Sequence, residues 1–518
     1  MDTVGLPAYK NEPYLDFTVE ENRRALEEAF RQVEGQLGKS CPLRIGEDRI
    51  DTDGEIVSVN PSNPSQVIGR TASATEREAD MALSTAAKNF ESWSRTSAEY
   101  RARILLRASG IMRRRKLELI GWEVYESGKV PSEAVAHVAE AIDFLEYYAR
   151  EMLRLKDGAP VHSLAGEESS YFYQPMGVGV IIAPWNFPLA ILTGMSSAAL
   201  VTGNTVVLKP SESTSVIAAI YAEIMEEAGL PEGVMSYLPG YGSEIGDYLV
   251  SDPRTRFVSF TGSMQTGLRI NELAAKPNGQ PWIKRVLAEM GGKDAMIIDE
   301  SADLDSAAAD IVRSAYGYGG QKCSAASRAI LHEKVYDEIL QKVVEQTKAL
   351  NHGQPTEAAT DFGPVINQSQ FEKIGSYIDT GKGEGELLAG GESGDPQNGY
   401  FISPTIFGVQ RSATVAREEI FGPVLSVVKA SDFEDALSIA NDSPYGLTGG
   451  VYSSDREHLE IARREFQAGN VYFNRSITGS LVGVQPFGGF GLSGTDSKAG
   501  GPDYLQQHML AKTVVERF

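Results

Sequence analysis

Between residues 20 and 38 apolar side chains recur at Ala25, Ala29, Phe30, Val33 and Leu37, a spacing that places them on one face of a helix. An irregular stretch through Pro42 follows, so this part reads as an N-terminal helical appendage. From about Val57 to Ala149 a strand-like start gives way to long helical patterns. One of them, residues 136–149, carries Ile142, Leu145 and Tyr148 on its apolar face. The period then changes. Gly158, Pro160 and Gly166 mark turns before a strand-like run at residues 170–174, the pattern of a protruding hairpin.

Farther along, short apolar runs at residues 178–183, 205–208, 235–238 and 257–260 alternate with helical segments. A second series occupies residues 295–298, 329–331, 405–407, 424–428 and 449–452. Strands alternating with helices predict an α/β protein with two doubly wound parallel sheets, the boundary falling near Met290, Gly291 and Gly292. Residues 174–208 carry no charge and are long enough to cross a bilayer. Pro184, Asn186, Pro188, Gly203 and Asn204 divide them into strand, loop, helix and strand, which predicts buried core and no membrane span.

Composition narrows the picture. A chain of 518 residues exceeds one ordinary core, and 42% hydrophobic with 23% charged residues describes a soluble, globular protein. The formal net charge of -22 argues against a nucleic-acid surface, which needs clustered cations. Arg113, Arg114, Arg115 and Lys116 form a short basic run that reads as a solvated helix face. Two cysteines, Cys41 and Cys323, supply neither a disulfide framework nor a cysteine-rich zinc site, so no metal is expected. The acidic N-terminus shows no export or transit pattern, and the expected location is the cytoplasm.

The candidate chemistry centres on Cys323, within Tyr318-Gly319-Gly320-Gln321-Lys322-Cys323-Ser324, where two glycines allow close backbone approach and a thiol follows. Glu289 stands before Met290-Gly291-Gly292-Lys293, a position suited to a base. In Pro184-Trp185-Asn186-Phe187-Pro188 two prolines stiffen the loop of an amide that could stabilise an oxyanion. Phe260-Thr261-Gly262-Ser263 with Gly267 reads as strand, tight turn and helix start, offering backbone N–H groups and the Ser263 hydroxyl to a pyrophosphate. Lys209-Pro210-Ser211-Glu212 ends a strand where a doubly wound sheet binds nucleotides. Glu419-Ile420-Phe421-Gly422-Pro423 adds a carboxylate and a ring.

Taken in order, Asn186, Lys209, Glu212, Ser263, Glu289, Cys323, Glu419 and Phe421 resemble the aldehyde dehydrogenase superfamily over nearly the whole chain. The run from Gly320 to Arg328 and the tail Gln485-Pro486-Phe487-Gly488-Gly489 to Tyr504 are similar to its branch oxidising L-glutamate γ-semialdehyde, which equilibrates with 1-pyrroline-5-carboxylate. The resemblance implies a Cys323 nucleophile, an Asn186 oxyanion donor and a Glu289 base. It implies NAD, with NADP possible, held by Ile182, Pro184, Trp185, Lys209, Ser211, Glu212, Gly242, Gly246, Phe260, Thr261, Gly262, Ser263, Gly267, Gly291, Glu419 and Phe421. Glu212 should repel a 2′-phosphate, which favours NAD.

The same resemblance implies that the loop Thr478-Gly479-Ser480-Leu481-Val482-Gly483 anchors the amino-acid end of a small semialdehyde, with Ser324 as a second carboxylate donor. Phe187 and Phe487 would form aromatic walls, and Glu133 would meet the α-ammonium. Ser480 departs from the branch, which usually has alanine there, so its hydroxyl would contact the carboxylate or narrow the pocket. The implied organisation is an N-terminal segment (1–47), a cofactor-binding domain (48–152 and 174–288), a catalytic domain (289–488) and a small β oligomerisation flap (153–173 and 500–518). A homodimer or higher homo-oligomer is expected. Two alternatives stay open, another semialdehyde such as succinate semialdehyde and a cofactor-independent thiol hydrolase using one of the six histidines.

Overall fold

Charge-free apolar runs can be buried on both faces, and such runs supply central strands in each of the two large sheets. The structure, a computed structural model, describes residues 5–518. The first sheet contains β1 (Leu43–Ile45), β2 (Asp48–Ile50), β3 (Val178–Ile182), β4 (Thr205–Lys209), β5 (Met235–Tyr237), β6 (Thr255–Thr261) and β7 (Arg285–Glu289). Its order is β7-β6-β3-β4-β5-β1-β2. The chain runs outward from β3 through β4 to β5 and then returns to add β6 and β7 on the other side. The crevice between the C-terminal ends of β3 and β6 is therefore a topological switch point.

After Glu289 the chain enters the second sheet, made of β8 (Ala295–Ile298), β9 (Arg328–His332), β10 (Gly385–Ala389), β11 (Thr405–Val409), β12 (Val424–Ala430), β13 (Thr448–Tyr452) and β14 (Asn470–Phe473). Its order is β10-β11-β12-β9-β8-β13-β14, parallel except for the edge strand β10. The charge-free stretch resolves into β3, the buried helix Ala190–Val201 and β4. Among the described residues no helix is long and apolar enough to cross a membrane.

Three features depart from the sequence pattern. First, the N-terminal segment is not a separate appendage. The helix Glu20–Glu34 buries Leu26, Phe30 and Val33, with Val33 seated on Gly121, and β1 joins β5 antiparallel as part of the first sheet. Strands of three residues are too short to show a period. Second, the basic run is a solvated face only in part, with Arg113 and Arg114 exposed. Arg113 bonds Glu12 and Glu146, each at 2.7 Å, and Lys116 is buried against Glu12. Third, the predicted hairpin folds back through a backbone hydrogen bond from the Ala159 N–H to the Tyr171 carbonyl at 3.0 Å, but its strand finds its ladder partner elsewhere. The strand Glu167–Pro175 pairs antiparallel with the C-terminal strand Met509–Arg517, from Met509 opposite Pro175 to Arg517 opposite Glu167. Pairing between the middle and the end of a chain leaves no local signal.

Candidate active site

The helix Leu304–Tyr316 stops against three consecutive residues with positive φ, Tyr318 (54°), Gly319 (61°) and Gly320 (70°). A Cβ on Gly320 would lie 2.3 Å from the Gly422 carbonyl oxygen, so only glycine lets the loop pack this closely. Gln321, which the sequence reading left without a role, then locks the turn. Its buried amide donates to the carbonyls of Tyr318 (3.1 Å) and Pro364 (3.2 Å) and accepts from the Ile366 N–H (2.9 Å). Cys323 emerges from this locked loop into a cavity of about 490 Å³.

Asn186 follows β3 and is buried. Its Nδ2 donates to the Gln321 carbonyl at 3.0 Å, which ties the loop after β3 to the thiol loop and leaves a second N–H of the same amide for an oxyanion. Glu289 ends β7 and lines the same cavity. Its Oε1 accepts from Ser497 Oγ at 2.6 Å, while Oε2 has no partner. Burial pushes this carboxyl up to about 8 against the opposing pull of the Ser497 hydrogen bond. Burial also pushes the Cys323 thiol well up, and the nearby carboxyls of Asp294, Glu289 and Glu419 add to the effect.

The residues expected to hold a dinucleotide gather around the switch-point crevice. Pro184 and Trp185 follow β3, and Phe260 and Thr261 end β6, next to Ile182 in β3. Ser263 starts the helix Met264–Ala275, and its hydroxyl accepts from Thr266 N at 3.3 Å. That hydroxyl is engaged locally, which leaves the backbone to meet a phosphate. Gly267 is required by packing, since a Cβ there would sit 2.3 Å from Met290 Sδ. Lys209 at the end of β4 is buried, and its Nζ has one hydrogen bond, to the Pro210 carbonyl at 3.3 Å. Ser211 caps the turn that begins at the exposed Glu212. Gly242 and Gly246 bound one helical turn, with Gly242 facing Lys209.

Across the crevice, Glu419 Oε1 accepts from Gly292 N at 3.1 Å, and a Cβ on Gly291 would lie 2.0 Å from that oxygen. Phe421 adopts a positive φ of 62° and meets Trp185 edge to face at 5.4 Å. A non-glycine residue held there stores strain that the surroundings maintain. The underused buried ammonium of Lys209 and the bare glycine backbone beside Glu419 fit a dinucleotide with ribose hydroxyls and a planar ring.

Phe187, Ser324, Phe487, Gly479 and Ser480 all line the cavity of Cys323. The Ser480 hydroxyl pairs with the Tyr472 hydroxyl at 2.6 Å, so it is committed to the protein rather than free to narrow the pocket. Glu133 also lines the cavity, but its Oε2 bonds Lys322 Nζ at 2.6 Å. Burial would raise this carboxyl, yet Lys322 and His137 outweigh it and hold Glu133 below its ordinary value. Two turns farther along the same helix, Glu140 faces the cavity with no side-chain hydrogen bond among the described residues, and desolvation with Asp143 pushes it up to about 8. Sequence reasoning missed Glu140 because a glutamate on a helix carries no motif of its own.

His137 is the histidine on the cavity wall. Its ring stacks on Phe187 at 3.9 Å, and its two nitrogens face Glu123 (3.8 Å) and Glu133 (3.9 Å). Burial and Lys129 push it down to about 4, so it stands neutral and directed at carboxylates rather than paired with Cys323. This arrangement gives a thiol hydrolase no histidine base among the residues lining the cavity.

Known proteins share this architecture. The sequence model of the aldehyde dehydrogenase family matches residues 50–514. A 1-pyrroline-5-carboxylate dehydrogenase of Geobacillus thermodenitrificans is 59% identical over 512 residues, covering 98% of this chain and 99% of that protein. The crystal structure of a Thermus 1-pyrroline-5-carboxylate dehydrogenase with bound NAD superposes with a TM-score of 0.98 at 53% identity, covering 99% of this chain and all of the other. Proline utilization A from Bdellovibrio bacteriovorus aligns at 41% identity and a TM-score of 0.97, over 98% of this chain and 53% of its own. With a thiol loop, an amide and a carboxyl converging on one cavity beside a nucleotide crevice, and with these matches along its length, the chain belongs to the aldehyde dehydrogenase family.

Proposed function

We propose that this protein oxidises L-glutamate γ-semialdehyde to L-glutamate with NAD, a step of proline degradation. The observation that carries the reading is the composition of one cavity. Cys323 shares it with Glu140, a half-buried carboxyl with no hydrogen-bond partner among the described residues, and with the loop of Gly479 and Ser480 beside Ser324. An α-ammonium next to Glu140 would supply the counter-charge its environment lacks. Succinate semialdehyde has no ammonium and would leave that carboxyl without an ionic partner. The names of the relatives point the same way.

In this reading the Cys323 sulfur adds to the aldehyde carbon, and the free N–H of Asn186 meets the oxyanion of the resulting thiohemiacetal. A donor of this kind is typically worth roughly a hundred- to a thousandfold in rate. NAD, when bound, supplies the acceptor for the electron pair that leaves the substrate carbon. Lys209, Glu212, Glu419 and Phe421 are the residues that would hold it. A thioester then remains on Cys323. Glu289 takes a proton from the water that attacks this thioester, which releases L-glutamate and returns the thiol. The exposed carboxylate of Glu212 at the crevice rim favours NAD over NADP. The strands 167–175 and 509–517 provide the surface for a homodimer or higher assembly, and two unpaired cysteines suit the cytoplasm.

The test is Cys323→Ala assayed with glutamate semialdehyde and NAD by absorbance of the reduced cofactor. Turnover should vanish while NAD binding persists. Retained turnover would refute the reading.

A further inference from the structure

Tyr9, Asn11 and Glu12 precede every sequence motif, yet they reach two walls of the active-site cavity. Asn11 Nδ2 donates to Asp143 Oδ2 at 2.8 Å and to the Val482 carbonyl at 2.9 Å. The Tyr9 hydroxyl donates to the same carbonyl at 3.2 Å, and the Glu12 N–H donates to Asp143 Oδ1 at 2.7 Å. Asp143 belongs to the helix Pro131–Leu155, which also presents Glu140 to the cavity. Val482 belongs to the loop that follows Gly479 and Ser480. One amide group thus joins the wall that would receive the ammonium to the loop that would receive the carboxylate, its second N–H shared between the Val482 carbonyl and the Tyr9 hydroxyl at 3.0 Å.

The segment is itself firmly held. The Glu12 carboxylate binds Arg113 at 2.7 Å and also Lys116, whose Nζ reaches the Pro13 carbonyl at 3.2 Å. The ring of Tyr9 packs edge-on against Tyr147 at 5.3 Å. Gly483, with φ of 76°, turns the loop directly on these two rings, and a Cβ there would lie 3.0 Å from Tyr147 and 3.1 Å from Tyr9. The next aromatic residue, Tyr14, lines the cavity.

We infer that residues 9–12 form a strap that sets the spacing between the helix Pro131–Leu155 and the loop 479–483, with Asn11 as a positioning residue for the amino-acid end of the substrate. The inference rests on the glutamate semialdehyde reading above. Releasing the Val482 carbonyl lets the loop drift, and displacement by about 1 Å is enough to weaken recognition severely. The strap bonds neither Cys323 nor the nucleotide crevice, so the effect falls on one end of one ligand.

The experiment compares the wild-type enzyme with Asn11→Ala and Tyr9→Phe, measuring kcat and KM for glutamate semialdehyde, propanal and NAD. For Asn11→Ala the KM for glutamate semialdehyde should rise about tenfold, the size of one lost hydrogen bond. Tyr9→Phe, which removes a single hydroxyl and keeps the ring packing, should raise it by about two- to threefold. Neither should change the constants for propanal, which lacks both end groups, or for NAD. An equal rise for propanal marks general loosening and overturns the strap, as does an unchanged KM for glutamate semialdehyde. Should Asn11→Ala fail to fold, the Tyr9→Phe comparison alone decides. A wild-type enzyme that does not favour glutamate semialdehyde over propanal overturns the functional reading, and the strap with it.

Discussion

Burial moves Glu289 and Cys323 in the same chemical direction, toward the protonated form, and each residue can act only after losing its proton. For Glu289 the value near 8 lies close to the operating pH of a general base. Because the folded carboxyl is raised and the base form is the ionised one, thioester hydrolysis should climb as pH rises through about 8. Glu289→Gln removes that base without removing the thiol. Stopped-flow absorbance should then show a burst of reduced cofactor followed by slow turnover, since acylation precedes the lost step. Equal loss of burst and turnover would contradict the assignment. At this scale the motifs were legible in sequence because the catalytic and cofactor side chains lie within three residues of a glycine or proline, which mark the turns that present them. Gln321 and Glu140 were not. One acts through three hydrogen bonds to backbone and the other through a missing partner, and neither condition shows in a local pattern.

Among the elements, the loop before Cys323 is the least forgiving. Gly320 has a left-handed backbone and no space for a methyl group, so Gly320→Ala should displace the thiol relative to Asn186. The expected outcome is a fall in kcat of about a hundredfold, and, because the added methyl presses on the Gly422 carbonyl directly after Phe421, a weaker affinity for NAD as well. Steady-state kinetics with NAD titration checks this, and an unaltered kcat would show that the loop tolerates rearrangement. Strands such as β3 and β8 were readable because burial on both faces demands an unbroken apolar run. The edges were not. Three-residue strands β1 and β2 lack a period, and the pairing of residues 167–175 with residues 509–517 leaves no local pattern, so it was the family resemblance, which joined 153–173 and 500–518 in one flap, that implied it.

For the whole molecule, the C-terminal strand poses its own question, because Leu510, Val514, Val515 and Phe518 are exposed on a two-stranded sheet. Such a ribbon is marginal alone and calls for cover. Removing residues 511–518 strips that surface except for Leu510 while sparing the buried Met509, so the fold should persist and the mass by light scattering should fall. An unchanged mass would place the subunit contact elsewhere. The central claim concerns the substrate, and kcat/KM for glutamate semialdehyde against succinate semialdehyde, both with NAD, tests it most directly. The cavity chemistry predicts a preference of at least about a hundredfold for the amino-acid aldehyde, the value of a charged contact worth about 3 kcal/mol. Equal values, or a preference for succinate semialdehyde, would contradict it.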